Sequence, residues 1–506
     1  MNKQINTNLQ LPPAFIERMS ATLGEESEAF FHSYDSERAY GLRRNLLKLN
    51  QSDFETLLPF SLERVRWAQE GYYYPSTDRP GKHVFHEMGL YYIQEPSAMS
   101  VVEIADPQPG EVILDLCAAP GGKSTQIAGR LAGKGLLISN EIIPNRAKIL
   151  SQNIERLGIS NAVVLNHTPQ ELEQAFPSFF DRIIVDAPCS GEGMFHKEDA
   201  ALTEWSPENV LMCADRQKEI LSCAIPMLRP GGVLVYSTCT FAPAEDEEIV
   251  QWLLDSYPQL TLEPIDTAAL GISEGTFPGT GRIYPHRQRG EGHFIARFCV
   301  KGERIPRPAY LPTPFVAMPD DTDSSDFVSI SDCDSTSKIT DANAKKNQKK
   351  IAKQNKHMQK KSGKKGATPT VQSDIWKECE QFVTNTLTCP LYGKRQLFGD
   401  QLYLLPDAMT ALQGLRVLRP GLHLGTSKKN RFEPSHALAL ALHPEDARQV
   451  CETTEPENFM RGMTFSCDPQ LDGWTLITYR GMPLGWGKAS RGIMKNHYPK
   501  GLRINW

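Results

Sequence analysis

Three short stretches of the chain hold residue types that do chemistry. The first is Asp115-Leu116-Cys117-Ala118-Ala119-Pro120-Gly121-Gly122-Lys123-Ser124, the second Asp186-Ala187-Pro188-Cys189-Ser190-Gly191-Glu192-Gly193, and the third Ser237-Thr238-Cys239-Thr240. In the first, small residues let a ligand come close to the backbone at a strand-to-helix turn, where free N–H groups and the positive end of a helix dipole are available. No glycine stands five positions before Gly122-Lys123, so the phosphate-binding GxxxxGK[ST] loop is ruled out, and GxGxxG is absent too. Glu141 lies 26 residues beyond Asp115, at a spacing where an acidic side chain accepts hydrogen bonds from ribose hydroxyls. Taken alone the glycines also suit an ordinary turn. Taken with Glu141 they suit an adenosine-type cofactor that needs no phosphate clamp, and S-adenosylmethionine has those properties. Two thiols and the Asp186 carboxylate complete the set. Most cysteines are small hydrophobes, and Cys213, Cys223 and Cys299 are read that way; Cys189 and Cys239 differ because each follows the end of a core strand.

The elements that must position these groups are legible as an alternation. VILDL at 112–116, LLISN at 136–140, AVVL at 162–165, RIIVD at 182–186 and VLVYS at 233–237 read as strands. Helices are expected around 123–131, 144–157, 207–228 and 244–256, the third opened by Ser206-Pro207 and closed by the turn Arg229-Pro230-Gly231-Gly232. Strands alternating with helices predict an α/β fold with a doubly wound, mostly parallel sheet. In such a sheet the cofactor loop and both cysteine loops open on the same carboxyl edge, so two thiols and a carboxylate face one crevice.

The three motifs, in this order, resemble the RNA cytosine-C5 methyltransferases of the Sun/Nop2/NSUN group. YYIQEPSAM at 91–99 is similar to the segment that leads into that catalytic domain, and LRVLRPGLHLG, RFEPSHALAL and PLGWGKAS…KNHYPKGLR resemble the C-terminal modules, the last PUA-like, of its bacterial ribosomal RNA small subunit methyltransferase F subgroup. The resemblance implies a Rossmann-like methyltransferase domain at 96–300, an N-terminal α+β RNA-binding domain at 1–95, a first C-terminal α+β module at 374–445 and a PUA-like RNA-binding module at 446–506. It further implies that Cys239 adds to cytosine C6 as a thiolate, because C5 is too weak a nucleophile to take a methyl group directly. Cys189 then helps eliminate the enzyme after methylation. Asp186 hydrogen-bonds the base edge around N3 and N4, and neutralises charge there when protonated. By the same resemblance Cys117, Ala118, Ala119, Pro120, Gly121, Gly122 and Lys123 hold S-adenosyl-L-methionine together with Glu141 and Asp186, with Lys123 at the crevice edge. Arg146 and Lys197 are candidates for RNA or cofactor contact, or for solvent. The family's aspartate after the third strand is replaced here by Leu165-Asn166-His167-Thr168-Pro169, where Asn166 or Thr168 could accept the same hydrogen bond from the adenine amino group without the charge. The target base has to leave its stack, which a single-stranded or loop RNA makes easier.

Bulk properties set the remaining bounds. The 506 residues call for several domains. Lysine plus arginine (55) against aspartate plus glutamate (60) gives −5, which taken alone argues against a polyanionic partner. The distribution reverses that inference. Ten lysines crowd positions 345–365 within a charged stretch at 301–373 that is expected to be disordered, and basic residues interleave with Trp474, Tyr479, Trp486, Tyr498 and Trp506 near the end. Those aromatics suit base stacking or a core equally. Polar residues follow Met1, no apolar run reaches membrane-spanning length, and the eleven cysteines form no CxxC pattern. A cytoplasmic monomer that binds RNA, with no membrane partner and no metal, is expected. A transfer RNA substrate, or a non-catalytic ribosome-assembly factor, are the alternatives.

Overall fold

The five apolar runs between 112 and 238 lack the in–out alternation of a half-buried strand, as strands covered on both faces should. In the computed structural model, which describes residues 9–197, 199–307, 313–315 and 370–504, they form the middle of a large mixed sheet. The N-terminal strands β1 (Gly41–Arg44), β2 (Glu63–Arg64), β3 (Gly71–Tyr73) and β4 (Tyr91–Ile93) make a separate antiparallel sheet in the order β2-β3-β1-β4. The central strands are β5 (Val112–Asp115), β6 (Leu136–Asn140), β7 (Ala162–Leu165), β8 (Phe180–Asp186) and β9 (Leu228–Thr238), followed by β10 (Leu260–Leu262), β11 (Ser273–Glu274), β12 (Gly281–Ile283) and β13 (His293–Val300). Strands β7, β6, β5, β8 and β9 lie side by side in that order and all parallel. The order reverses between β5 and β8, the doubly wound pattern read from the sequence, and in such sheets ligands bind outside the strand ends at that point.

Successive residues on these strands bury into two different cores. Val112, Leu114, Ile138, Val163, Ile183 and Val185 face one, and Ile113, Leu137, Val164, Ile184 and Val235 face the other. The long helix Pro207–Met227 starts as expected, with the Ser206 side chain accepting from the Asn209 N–H. Its end differs. Arg229-Pro230-Gly231-Gly232 is not a turn between elements but an irregularity inside β9, which pairs with β8 at Leu228 and again from Val233 onward. Gly231 has φ +70°, and a Cβ there would lie 2.7 Å from Arg304. The following helix begins at Glu247 rather than 244, because the chain first runs through Pro243 and a buried Asp246 that binds Arg282 and Thr238.

After the helix Thr370–Thr386 come β14 (Lys394–Phe398), β15 (Gln401–Leu405), β16 (Val417–Arg419), β17 (Leu422–Lys428) and β18 (Arg431–Pro434). Four of them form one sheet, β14-β15-β17-β18. Strand β16 leaves it and pairs antiparallel with β7, closing the parallel edge of the catalytic sheet. A covered edge no longer offers unpaired N–H and C=O groups to other chains. The last strands, β19 (Val450–Glu452), β20 (Phe465–Ser466), β21 (Gly473–Tyr479), β22 (Met482–Ser490) and β23 (Ile493–Asn496), make a third small sheet. Its Ile477 and Leu484, with the neighbouring Phe459 and Tyr498, share a core with Phe85, Met88 and Tyr91 of the N-terminal region, so the last module packs against the N-terminal one. Trp486 and Tyr498 are buried while Arg480, Lys488, Arg491, Lys495 and Lys500 are exposed. These two aromatics are therefore core, and Trp506, like the lysine run and almost all of the charged stretch, lies outside the described residues. Among the described residues no helix is long and apolar enough to cross a membrane.

Candidate active site

Strand β5 ends at Asp115, and the chain turns through residues 116–121 into the helix Gly122–Leu131. Gly121 supplies the turn with φ +117°, a conformation open to glycine at no steric cost. Neighbouring side chains fix the loop's carbonyls, since Arg146 donates to Ala119 O at 2.9 Å and Asn153 to Pro120 O at 2.8 Å. Asp115 is wholly buried, and its Oδ2 accepts from Ser124 Oγ at 2.6 Å. Its Oδ1 has no partner. Burial pushes this carboxyl up to about 7 against the opposing Ser124 bond. A buried acceptor left unsatisfied costs about 1–3 kcal/mol, and a ligand N–H would relieve it.

Glu141 follows β6 directly, is buried, and accepts from the Ile143 N–H at 2.9 Å. Asn166 packs beside it, donating from Nδ2 to the carbonyls of Glu141 (2.7 Å) and Ile142 (2.9 Å). An amide held in this way keeps its own carbonyl oxygen as the acceptor it can offer a ligand. Thr168 is committed elsewhere. It caps the helix Pro169–Ala175 in a reciprocal box with Glu171, which leaves Asn166 as the candidate for the acceptor role. Cys117, within the loop, has its thiol pushed well up by burial.

Asp186 closes β8, opposite Ser237 on β9. Its Oδ2 lies 2.6 Å from Lys123 Nζ, and its Oδ1 accepts from Ser237 Oγ at 2.9 Å. Burial raises the carboxyl, but the Lys123 ammonium and then the nearby His293 outweigh it and hold the group well below the usual carboxylate range. The resting form is therefore ionised, whereas the sequence reading gave Asp186 its neutralising role in the protonated form. Lys123, expected at the crevice edge, puts its ammonium on the Asp186 carboxylate.

The two cysteines meet. Cys189 Sγ lies 3.1 Å from Cys239 Sγ and accepts from the Cys239 N–H at 3.3 Å. The Cys239 sulfur beside it, and then burial, raise the Cys189 thiol well above its ordinary value, so Cys189 is a protonated thiol. The loops that carry them are stitched together by Gly193 N–H to Cys239 O (2.8 Å) and by the hydroxyls of Ser190 and Thr240 (2.9 Å). Two buried carboxylates tie this unit to the rest of the fold. Glu245 accepts from the Ser190 N–H and Gln217, and Glu192 accepts from the Phe241 N–H, Trp205 Nε1 and Arg18. Arg18 comes from the N-terminal region, whose Phe15 and Phe30 pack on Phe195 and Phe241.

Cys213 and Cys223 are buried and Cys299 half-buried, and every cysteine among the described residues is a free thiol. Lys197 is exposed. Arg146, besides its bond to Ala119, lies 3.7 Å from Glu141, and so stands at the cofactor loop. Ser237 and His293 are the site residues that sequence reasoning missed. Ser237 sat inside a quoted motif and its register with Asp186 was the available signal, whereas His293 comes from β13, which carries no motif. Among the described residues no cluster of three or more His, Cys, Asp or Glu is arranged for a metal ion.

Residues 102–299 match the family described as 16S rRNA methyltransferase RsmB/F. Residues 11–96 match the N-terminal domain of 16S rRNA methyltransferase RsmF, 381–442 its first C-terminal domain, and 452–504 its PUA domain. The chain is 30% identical to ribosomal RNA small subunit methyltransferase F of Erwinia tasmaniensis and 31% identical to that of Klebsiella pneumoniae, in each case over 97% of this chain and 96% of the relative. Among solved structures, PH0851 is similar with a TM-score of 0.54 and 26% identity, covering 59% of this chain and 69% of that one. NSun6 from Pyrococcus horikoshii with SFG shares the fold, at a TM-score of 0.51 and 22% identity over 58% of this chain and 99% of that one. With the paired cysteines, the motifs and near-full-length similarity in agreement, the chain belongs to the 16S rRNA methyltransferase RsmB/F family, within its ribosomal RNA small subunit methyltransferase F group.

Proposed function

We propose that this protein methylates C5 of a cytosine in small-subunit ribosomal RNA, using S-adenosyl-L-methionine. The observation that carries the reading is the meeting of two sulfurs, 3.1 Å apart, beside a carboxylate held by an ammonium at 2.6 Å, at the point where the strand order reverses. The unpartnered Asp115 Oδ1 fits a cofactor amine, Glu141 fits ribose hydroxyls, and Asn166 fits an adenine amino group. When bound there, the cofactor supplies an electrophilic methyl group.

In this reading Cys239 attacks C6 of the flipped-out base as a thiolate. The C6–S bond forms, and the electrons of the C5=C6 double bond become available at C5. Asp186, ionised, accepts from the cytosine amino group and orients the base, while the Lys123 ammonium beside it stabilises negative charge that develops around N3. After C5 has been methylated, Cys189 gives up its own proton to solvent and as a thiolate takes the proton from C5, the C5=C6 bond re-forms, and Cys239 leaves with the C–S electrons. The raised Cys189 thiol suits a group that must accept a proton late in the cycle. Exposed Arg480, Lys488, Arg491 and Lys495, on a module packed against the N-terminal region, are available to phosphates. Ribosomal RNA as substrate places the protein in the cytoplasm.

Bisulfite sequencing of 16S ribosomal and transfer RNA tests the reading, comparing a strain lacking this gene with one complemented by it. A cytosine in 16S RNA protected only in the complemented strain is expected. Loss of protection confined to transfer RNA would reassign the substrate, and no difference at any cytosine would overturn the reaction.

A further inference from the structure

His293 opens β13 with its side chain 4% exposed. Its Nε2 is buried and has no hydrogen-bond partner among the described residues. Native proteins rarely leave such an atom unpaired. The ionisable group it approaches is Asp186, whose Oδ1 lies 3.5 Å away, just beyond a well-formed N–H···O bond. Strand register explains the approach. Phe294 pairs with Thr238 on β9, which sets His293 level with Cys239, and Asp186 pairs with Ser237 on the next strand over. Three donor groups from three elements therefore surround one carboxyl: Lys123 from the helix after the cofactor loop, Ser237 from β9 and His293 from β13.

The three are not equivalent. Lys123 grips Oδ2 as a point charge and leaves the carboxyl free to turn about its terminal torsion, which is soft and nearly twofold. The Ser237 hydroxyl rotates and can donate in other directions. An imidazole is a planar donor locked by its strand, and a small movement of Oδ1 brings it within bonding range of Nε2. We propose that His293 is a positioning residue for Asp186, donating from Nε2 to Oδ1 so that the carboxyl meets the target base in a single orientation. This rests on the cytosine-methyltransferase reading above. His293 acts through Asp186 and needs no contact with RNA or cofactor.

The test uses full-length His293→Ala, His293→Gln and His293→Phe with saturating S-adenosylmethionine. The substrates are 16S RNA transcribed in vitro and small subunits from the strain lacking this gene. Loss of a bond to a charged group corresponds to a rate change of about tenfold to a hundredfold, so kcat of the Ala and Phe variants should fall by that factor. The RNA KM and the cofactor Kd should stay within about twofold. Gln carries an amide nitrogen at the reach of Nε2 and should recover most of the loss, which a packing role would not allow. If the Ala variant fails to fold, the Gln and Phe pair decides in the same way. An unchanged kcat in a variant lacking the donor would overturn the inference, as would Gln and Phe variants equally slow with wild-type melting, or a loss shared between kcat and KM. A wild-type chain that methylates neither RNA would instead overturn the underlying reaction.

Discussion

Cys189 and Cys239 stand with their sulfurs 3.1 Å apart, and the backbone N–H of Cys239 points at the Cys189 sulfur. They come from loops 50 residues apart in sequence, and the fold alone brings them together. The proposed roles make their substitutions opposite in outcome. Cys239→Ala should lower methylation by at least about a thousandfold, as removal of a nucleophile does, without forming any adduct. Cys189→Ala should leave the addition step intact and block release, accumulating a protein–RNA band that survives a denaturing gel. Full activity of the first variant, or a missing band for the second, would reverse the assignment.

Lys123 should control the charge of Asp186. Burial alone pushes that carboxyl upward, and the ammonium at 2.6 Å is the foremost influence that brings it down. In Lys123→Met the burial remains and the ammonium is gone, so Asp186 takes up its proton at higher pH. The acid limb of the rate–pH profile should shift to more alkaline values. At pH 7.5 and saturating cofactor the rate should drop by about a hundredfold. A limb that stays in place would separate Lys123 from Asp186.

Asp115 is expected to show stability given up to cofactor binding. Its folded-state value is raised to about 7 from 3.8, so over that interval the folded chain keeps a proton that the unfolded chain has released. Wild-type stability attributable to this group is therefore present below about pH 4 and lost as pH rises through about 7. Asp115→Asn removes the dependence. The variant should be more stable than wild type at pH 8, by at most about 4 kcal/mol, with no such gain at pH 4. Calorimetry should meanwhile show S-adenosylmethionine bound about tenfold or more weakly. Equal pH–stability curves for the two proteins would refute the buried charge.

Arg419 on β16 should help hold the C-terminal part to the catalytic sheet. Its side chain is buried against the helix Pro144–Arg156, pairing with Glu155 and donating to Ser151 Oγ at 3.2 Å. Arg419→Ala leaves Glu155 without that partner in a half-buried setting, at a cost of about 1–3 kcal/mol. A lower midpoint in urea is expected, together with faster proteolysis between residues 405 and 422. An unchanged midpoint would show that the paired backbone of β7 and β16 suffices.

The sequence by itself determined the chemical alphabet and its order along the chain. Each of DLCAAPGGKS, DAPCSGEG and STCT sits at the end of an apolar run too long and too continuous for a surface strand, so hydrophobic periodicity fixed the strands and the strands fixed which loops share an edge. Local rules such as Ser206 before Pro207 placed helix starts equally well, because capping involves atoms only a few residues apart. What only the tertiary structure decided depends on through-space distance. Arg229-Pro230-Gly231-Gly232 has the composition of a turn, yet pairing with β8 absorbs it into β9. Val417–Arg419 looks like part of its own module but pairs with β7. The charge state of Asp186 followed from Lys123, 63 positions away, overcoming desolvation. His293 entered the site through antiparallel register, for which an isolated strand carries no sign. Pairing partners and electrostatic neighbours are set by which surfaces bury together, and those energies are summed over the whole fold rather than written in any one segment.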